Sequence, residues 1–298
     1  MFAAHASTQA NSLNYKTALF WHNVGVKRVV VAREMSLKDL QELKKELPET
    51  CEIEALVHRS MCMAYSGKCL LSNYMTGRDS NRGTCAQPCR YKYHLVQEKD
   101  SGIYSRINEG NDGIYLMNSK DLCTIEHIPE LIESRINSLK IEGRMKSSYY
   151  VACVVKAYRE AIDKYIEDPE NYKFDSKWMD NLIKPSHRPY TTGFYFDEEM
   201  KQNHASSSYI RNYDIVGIVK NYNSQSHIAT IEQRNKVYNG DFVEILAIKG
   251  DNKIIELKDM RKENDEIIES ASSAQMIFTV QCYEELMVND IIIKNKKA

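Results

Sequence analysis

The sequence predicts an α/β protein: a partial (β/α) barrel with an inserted cysteine-rich region, followed by a small antiparallel β-barrel. Three observations predict it. Short apolar runs alternate with amphipathic helical patterns over residues 1–165, the mark of βαβ units on a parallel sheet. Residues 62–89 hold four of the eight cysteines in a Gly- and Ser-rich stretch that breaks this alternation. From residue 213 onward, short strand-like runs are separated by turn residues, as in small antiparallel barrels.

Residues 3–6 read as a first strand, followed by the helical pattern YKTALFWHNVG. RVVVA at 28–32 is a β-branched strand. SLKDLQELKKEL follows it, with Leu37, Leu40, Leu43 and Leu47 at helical spacing and Ser36 placed to cap the helix. Residues 52–57 (EIEALV) form the next strand, and the cysteine stretch leaves from its end. Residues 114–117 read as a strand with SKDLCTIEHIPELIES as its helix, then 136–141 (INSLKI) as a strand and 147–165 as a long helix. This makes about five units, whereas a closed TIM-like barrel needs eight strands and about 250 residues. The pattern also begins at full stride, so either the sheet is open or the chain lacks the first part of a barrel.

Residues 166–211 carry Pro169, Pro185 and Pro189 and a short helix near Trp178, and read as a connector. Beyond it YDIVGIVKNY, SHIATIEQRN, DFVEILAI, IIELKDM, AQMIFTVQ and DIIIK are strands, with turn chemistry at Asn239-Gly240 and Lys249-Gly250-Asp251. The expected domains are therefore 1–165, with an insertion at 59–112, then the connector at 166–211 and a β-barrel at 212–298.

The chain has 298 residues, 43% of them hydrophobic and 27% charged, with a net charge of −1. Contact with a polyanion therefore needs a local basic patch. No apolar run reaches the roughly 18–20 residues of a membrane span, and the opening residues lack the features of a signal peptide. The expected compartment is the cytoplasm, with no membrane partner. Thiols stay reduced there, so clustered cysteines point to metal binding or catalysis rather than disulfides.

The spacing is Cys62-x6-Cys69-x15-Cys85-x3-Cys89, with Cys123 further on. Structural zinc sites favour paired C-x2-C-like knuckles, and iron–sulfur clusters take four thiolates at more varied spacings. Spacing alone leaves zinc, iron–sulfur and unligated thiols open. Cys51, Cys153 and Cys282 sit in apolar patterns and read as buried small hydrophobes. Within residues 54–93, Arg59, Lys68, Arg78, Arg82, Arg90 and Lys92 face only Glu54 and Asp79. Such cations balance an anionic thiolate cluster, hold an anionic substrate or RNA phosphates, or simply solvate a loop.

Functional residues of parallel barrels lie at the C-terminal ends of strands. Those ends supply residues 7–9, Arg33, Glu34, His58, Asn118, Ser119, Glu142 and Arg144. Arg33, Arg144 and Arg90 suit forks for carboxylates or phosphates, and Glu34, Glu142 or His58 suits proton transfer. Each also has a structural reading. Arg33 and Glu34 cap a helix, His58 is a core histidine, Lys140, Glu142 and Arg144 form an ion network, and Asp79 folds the loop with Arg78 and Arg82. Hydrolysis needs an activated nucleophile or a metal-bound water. There is no HExxH and no GxSxG, which leaves a Cys62–His58 dyad as the protease candidate.

EALVHRSMCMAYSGKCLLSNYMTGRDSNRGTCAQPCRYKY (54–93) resembles the signature of the collagenase-like peptidase family (U-32). The resemblance continues through STQAN (7–11), VVVARE (29–34), MNSKDLC (117–123), LKIEGRMKS (139–147) and IEQRNKVYNGD (231–241). The nearest branch is that of the bacterial tRNA hydroxylation proteins. The resemblance implies hydroxylation of wobble uridine to 5-hydroxyuridine with prephenate as co-substrate, tRNA as partner and a 4Fe–4S cluster. It also implies cluster ligands at Cys62, Cys69, Cys85 and Cys123, with Cys89 the alternative fourth. Arg33, Glu34, His58, Glu142 and Arg144 then become catalytic candidates. Arg78, Arg82, Arg90 and Lys140 become substrate-binding candidates, and Arg234 and Lys236 candidate tRNA contacts. Leu56 stands where the family has an aromatic, and Arg59 where it has a glycine. The family carries about a hundred further residues before STQAN, so the chain reads as N-terminally truncated, with an open sheet edge that favours a homo- or hetero-oligomer. The competing functions are a collagenase-like peptidase and an inactive, truncated or zinc-stapled RNA-binding protein.

Overall fold

Local chemistry sets the first half of the chain. The computed structural model describes residues 3–94, 96–100, 103–106, 115, 117–196, 202–204 and 206–296. After β1 (Ala4–Ala6), α1 (Tyr15–Asn23) opens at Asn14, whose side chain accepts the Thr17 N–H at 3.0 Å. β2 (Val26–Val30) leads to α2 (Leu37–Glu46). There Ser36 and Asp39 form a reciprocal capping box, and Leu37, Leu40 and Leu43 form the buried face. β3 (Glu52–Ser60) is the long central strand. The elements that follow are α3 (Leu71–Thr76), the paired strands β4 (Val96–Asp100) and β5 (Ile103–Arg106), β6 (Asp121–Cys123), α4 (Ile128–Glu133), β7 (Ser138–Ile141), α5 (Ser148–Glu167), α6 (Ser176–Ile183) and β8 (Tyr190–Thr191).

The chain divides into two compact units. The first comprises Met1–Arg144, Tyr158–Asp175 and His187–Tyr209, and the second Met145–Ala157, Ser176–Ser186 and Ile210–Ala298. The stretch read as a connector is thus shared between the units rather than lying between them.

In the first unit β1, β2, β3 and β7 are parallel neighbours in that order, as βαβ alternation requires. β6 departs from it. It runs antiparallel to β3, with His58 opposite Cys123, and β8 pairs parallel to β6. Residues 121–123 had read as part of a helix. Pro129 explains the difference, because it lacks an N–H and fits only the first helical turn. The helix accordingly starts at Ile128, after a 3-10 turn over Ile125–His127, and Asp121–Cys123 are left to extend. The strand expected at 114–117 includes positions outside the described residues. β1 and β8 end the hydrogen-bonded path without pairing with each other, so barrel closure is not seen among the described residues.

The second unit continues with β9 (Tyr213–Asn223), β10 (Ile228–Gln233), β11 (Val237–Tyr238), β12 (Phe242–Leu246), β13 (Lys253–Glu256), β14 (Lys258–Lys262), β15 (Ser270–Ala271), β16 (Ile277–Gln281) and β17 (Ile291–Asn295). Seven of these form one antiparallel sheet in the order β13-β12-β17-β9-β10-β16-β14. Val219, Ala229, Ile231, Ile245, Phe278 and Ile292 are buried on its inner side. Register shifts at Thr230/Ile231 and Ile292/Ile293 curl the sheet. So does Gly217, where an added Cβ would lie 2.6 Å from the Ile231 side chain. The sheet is an open half-barrel rather than the expected closed barrel, because the run IIELKDM is two strands. Buried Leu257 breaks it by donating to the Asp241 carbonyl at 2.9 Å and accepting from Gly240 at 2.7 Å. That sends β13 and β14 to opposite edges.

Candidate functional site

The cysteine-rich loop starts where β3 runs out. The β3–β6 ladder extends one step further, with the Met61 N–H on the Lys120 carbonyl at 3.4 Å, and Cys62 follows. Buried Ser66 then docks the loop on the end of β2. Its hydroxyl accepts from Arg33 Nε at 2.9 Å, and its N–H donates to Glu34 Oε1 at 2.9 Å. Gly67, at φ +73°, lies so close to the 3-10 turn after β1 that an added Cβ would sit 2.1 Å from the Gln9 carbonyl oxygen. Within the loop, the Cys69 carbonyl accepts from Ser80 at 3.0 Å and from Asn81 at 3.3 Å, and Ser72 accepts the Ala86 N–H at 3.0 Å.

Two arginines fasten the far side of the loop. The Arg144 guanidinium, at the end of β7, rests on Gly83 (φ +81°), where a Cβ would lie 2.1 Å from Nη1. Buried Arg90 turns inward and donates to the carbonyls of Met61 (2.7 Å) and Ser119 and to Asn118 Oδ1 (3.0 Å). Residues after β1, β2, β3 and β7, and those just before β6, thus all touch one loop.

The charge around Cys62 is unusual for a half-buried thiol. Burial opposes its ionisation, but Arg33, Arg59 and Arg90 outweigh burial and hold the thiol below its ordinary value. The Cys89 thiol is raised, first by burial and then by the nearby Cys62, Cys85 and Cys69, with Arg90 opposing. Gln87 adopts a left-handed backbone (φ 57°) and points its N–H at the Cys85 sulfur, 3.3 Å away. Four thiols therefore share one electrostatic neighbourhood with three guanidinium groups.

Residues 1–205 match Peptidase family U32, and residues 211–292 match the Peptidase family U32 C-terminal domain. The chain belongs to Peptidase family U32. It is 39% identical over 297 residues to "tRNA hydroxylation protein P1" of Bacillus subtilis (strain 168), covering 98% of this chain and 69% of that protein. It is 33% identical over 294 residues to "tRNA hydroxylation protein P" of Escherichia coli (strain K12), covering 83% and 62%. A "Collagenase" of Porphyromonas gingivalis is 30% identical over 285 residues, covering 92% and 67%. The chain thus spans between 62% and 69% of the length of these U32 relatives.

The thiol set was tested against the 4Fe–4S cluster implied for U32 proteins. Such a cluster wants four soft thiolates with cations to balance them. Cys62, Cys69, Cys85 and Cys89 with Arg33, Arg59 and Arg90 meet that need in kind and number. As placed, however, no three His, Cys, Asp or Glu side chains among the described residues lie close enough to hold a metal ion.

Cys123, the fourth ligand that the resemblance implied, lies elsewhere. It is buried in β6 opposite His58, and its neighbours are the Tyr158 hydroxyl at 4.0 Å, the Ile125 backbone and Glu126. Burial pushes its thiol up to about 12. It sits three residues along the ladder from Lys120, the partner of Met61, or about 10 Å at the usual strand rise. Cys89 thus feels Cys62, Cys85 and Cys69, whereas Cys123 is flanked by Tyr158 and Glu126.

The other candidates separate clearly. His58 is fully buried between Tyr158 and Tyr190, with ring centroids at 5.6 and 5.4 Å, which is a core position rather than a proton-transfer position. Glu34 is engaged with Ser66, whereas Glu142 is partly open and lies 3.6 Å from Arg59. Arg59 takes the place of the family glycine inside β3 without a positive φ. Lys140 pairs with Glu54 at 2.8 Å, alongside Ser138 and Arg28. Arg90 holds backbone rather than ligand. Arg82 pairs with Asp79 at 3.4 Å, and Arg78 stays exposed. In the second unit, Arg234 pairs with Glu232 at 2.5 Å, and Lys236 lies over Tyr238 at 4.6 Å.

Sequence reasoning missed Ser66, Gly83 and the Asp121–Arg188 pair. Arg188 and Asp121 are both buried, 3.4 Å apart, with the guanidinium over Tyr209 at 4.2 Å. The glycine after Ser66 was the available signal for a close approach. Arg188 had none, since its partner is far away in sequence.

Proposed function

We propose that this chain carries the thiolate-rich part of a tRNA-hydroxylating enzyme, one that converts wobble uridine to 5-hydroxyuridine with prephenate as co-substrate. The observation that carries the reading is the naming of relatives at 39% and 33% identity as tRNA hydroxylation proteins. Cys62, Cys69 and Cys85 are the residues that would hold a 4Fe–4S cluster. The resemblance favours Cys123 as the fourth, and position in the structure favours Cys89. When bound, a 4Fe–4S cluster supplies one-electron redox chemistry.

The remaining roles belong to side chains. Arg33 and Arg59 offset the negative charge of the Cys62 thiolate. Arg144 is exposed and has no ion pair among the described residues, so its guanidinium can fork a substrate carboxylate beside the loop. Glu142, partly open and next to Arg59, is the group placed to hold a proton there. The peptidase reading has less support. Against burial, Arg33 and Arg59 hold the Cys62 thiol below its ordinary value, but His58, the base it would need, is packed between two tyrosine rings.

The test is iron and sulfide analysis after anaerobic reconstitution of the wild type, Cys85→Ala, Cys89→Ala and Cys123→Ala. Assaying 5-hydroxyuridine in tRNA from a deletion strain complemented with each variant completes it. The wild type should bind iron and sulfide, and Cys85→Ala should lose both. The fourth ligand is whichever of Cys89 and Cys123 abolishes iron when replaced. A colourless wild type holding one zinc would overturn the cluster, and unchanged 5-hydroxyuridine on deletion would overturn the reaction.

A further inference from the structure

The helix inside the cysteine loop is built inside out. A helix on a protein surface normally buries its apolar face and exposes its polar one. α3 instead buries Ser72, whose hydroxyl accepts the Ala86 N–H, and exposes Tyr74 and Met75, with Leu70 exposed at its N-cap. Leu70 is 74% exposed and Tyr74 89%. They are one turn apart, with the Tyr74 N–H on the Leu70 carbonyl at 2.9 Å, so they stand on the same side. Met75 is 44% exposed, and the Tyr93 hydroxyl props it at 3.5 Å while donating to the Pro88 carbonyl at 2.8 Å. Neither helix propensity nor folding benefits from a tyrosine and a leucine held in water.

The surrounding charge has one sign. Exposed Lys68 lies two residues before Leu70, and exposed Arg78 four residues after Tyr74. Neither has an ion pair among the described residues. From residue 61 to 94 the only acidic side chain is Asp79, and it is already paired with Arg82.

We infer that α3 is a stacking platform for single-stranded RNA, with a base on Tyr74 against Leu70 and the flanking phosphates on Lys68 and Arg78. Exposed aromatics interleaved with unpaired cations are how proteins hold unpaired nucleotides, because every base has a stacking face and every nucleotide a phosphate. A protein partner is less apt, as it would have to be strongly acidic and also flat and apolar. The inference rests on the tRNA reading and names the surface that takes that substrate. It puts unpaired nucleotides beside the thiols, since Ser72 of the same helix is bonded to Ala86, the neighbour of Cys85.

The test measures binding of the full chain to bulk tRNA and to a short unstructured oligoribonucleotide, between 50 and 200 mM salt. Tyr74→Ala should weaken binding to both about tenfold, and Tyr74→Phe should bind as the wild type does. Arg78→Ala should lower the log–log salt slope for the oligonucleotide by about 0.7. Tyr283→Ala, which removes another well-exposed aromatic in the second unit, should change nothing. Because Tyr74 is nearly fully exposed, an unchanged melting curve for Tyr74→Ala confirms that the loss is not one of folding. If the wild type binds tRNA and Tyr74→Ala binds it equally well, the platform is overturned and the tRNA reading stands. If the wild type binds the oligonucleotide but not tRNA, the platform stands and the tRNA reading falls. If neither RNA binds, and Tyr74→Ala instead abolishes self-association, α3 is a protein contact and the inference is wrong.

Discussion

The two units are held together by different kinds of interior. The second is an apolar half-barrel that keeps few buried polar side chains, among them Asn181, Gln233 and Asp290. The first buries Glu54, Ser66, Arg90, Asn118, Asp121 and Arg188, and most of these fasten the cysteine loop or the strands beneath it. Hydrophobic burial is non-directional and tolerates repacking. A buried charge must find its partner or cost several kcal/mol. The second unit should therefore lose stability gradually on substitution, whereas the first should fail at particular residues.

The sharpest way to break that contrast is Asp121→Ala. It leaves Arg188 buried and unpaired, and the expected loss is about 3–5 kcal/mol, read from urea unfolding. Pairing it with Arg188→Met should recover most of that loss. A loss below about 1 kcal/mol would mean that polar wiring does not hold the first unit. Next in size is Ile231→Ala in the half-barrel, where a fully buried side chain is cut back. About 3 kcal/mol is expected, with the fold retained by circular dichroism.

Glu54→Gln sharpens the comparison through pH. Burial alone would raise the Glu54 carboxyl, but Lys140, Ser138 and Arg28 outweigh it and hold the carboxyl below its ordinary value. A depressed folded value stabilises the protein above the unfolded carboxyl's pKa, about 4.3, and the benefit is lost as pH falls through the folded value. The variant should therefore be less stable than the wild type by about 2 kcal/mol at pH 7, and the gap should close below pH 4. The smallest effect belongs to Ser36→Ala, which removes a local cap. About 1 kcal/mol is expected, with no change in iron content, because nothing in the cysteine loop depends on that cap.

The same contrast explains what could be read from the sequence. α2 was fully legible, since Ser36, Asp39 and the leucine spacing lie within one helix. Most strands of the half-barrel were legible too, because alternation is local, but the break at Leu257 inside IIELKDM was not, since its partners Gly240 and Asp241 lie sixteen or more residues away. What escaped was long-range polar pairing. Nothing near Arg90 says that it will bind the carbonyls of Met61 and Ser119 rather than a ligand. Nothing near DLC says that Cys123 will face Tyr158 rather than the other thiols. Likewise, the charge-rich Lys140 segment looked like a substrate site until Glu54 was seen to occupy it.

Two glycines mark how the cysteine loop can change in evolution. Gly67 is pressed on the Gln9 carbonyl and Gly83 on the Arg144 guanidinium, each at a positive φ. These are two rivets, and the segment between them is tied down by Ser72 while Tyr74 faces solvent. Between them Cys69 and the buried Ser72 are fixed, so related chains should vary at the outward positions of α3 around Tyr74, while Gly67 against backbone and Gly83 at its positive φ should both resist a side chain. A lineage could therefore change what the loop recognises without disturbing where its cysteines sit.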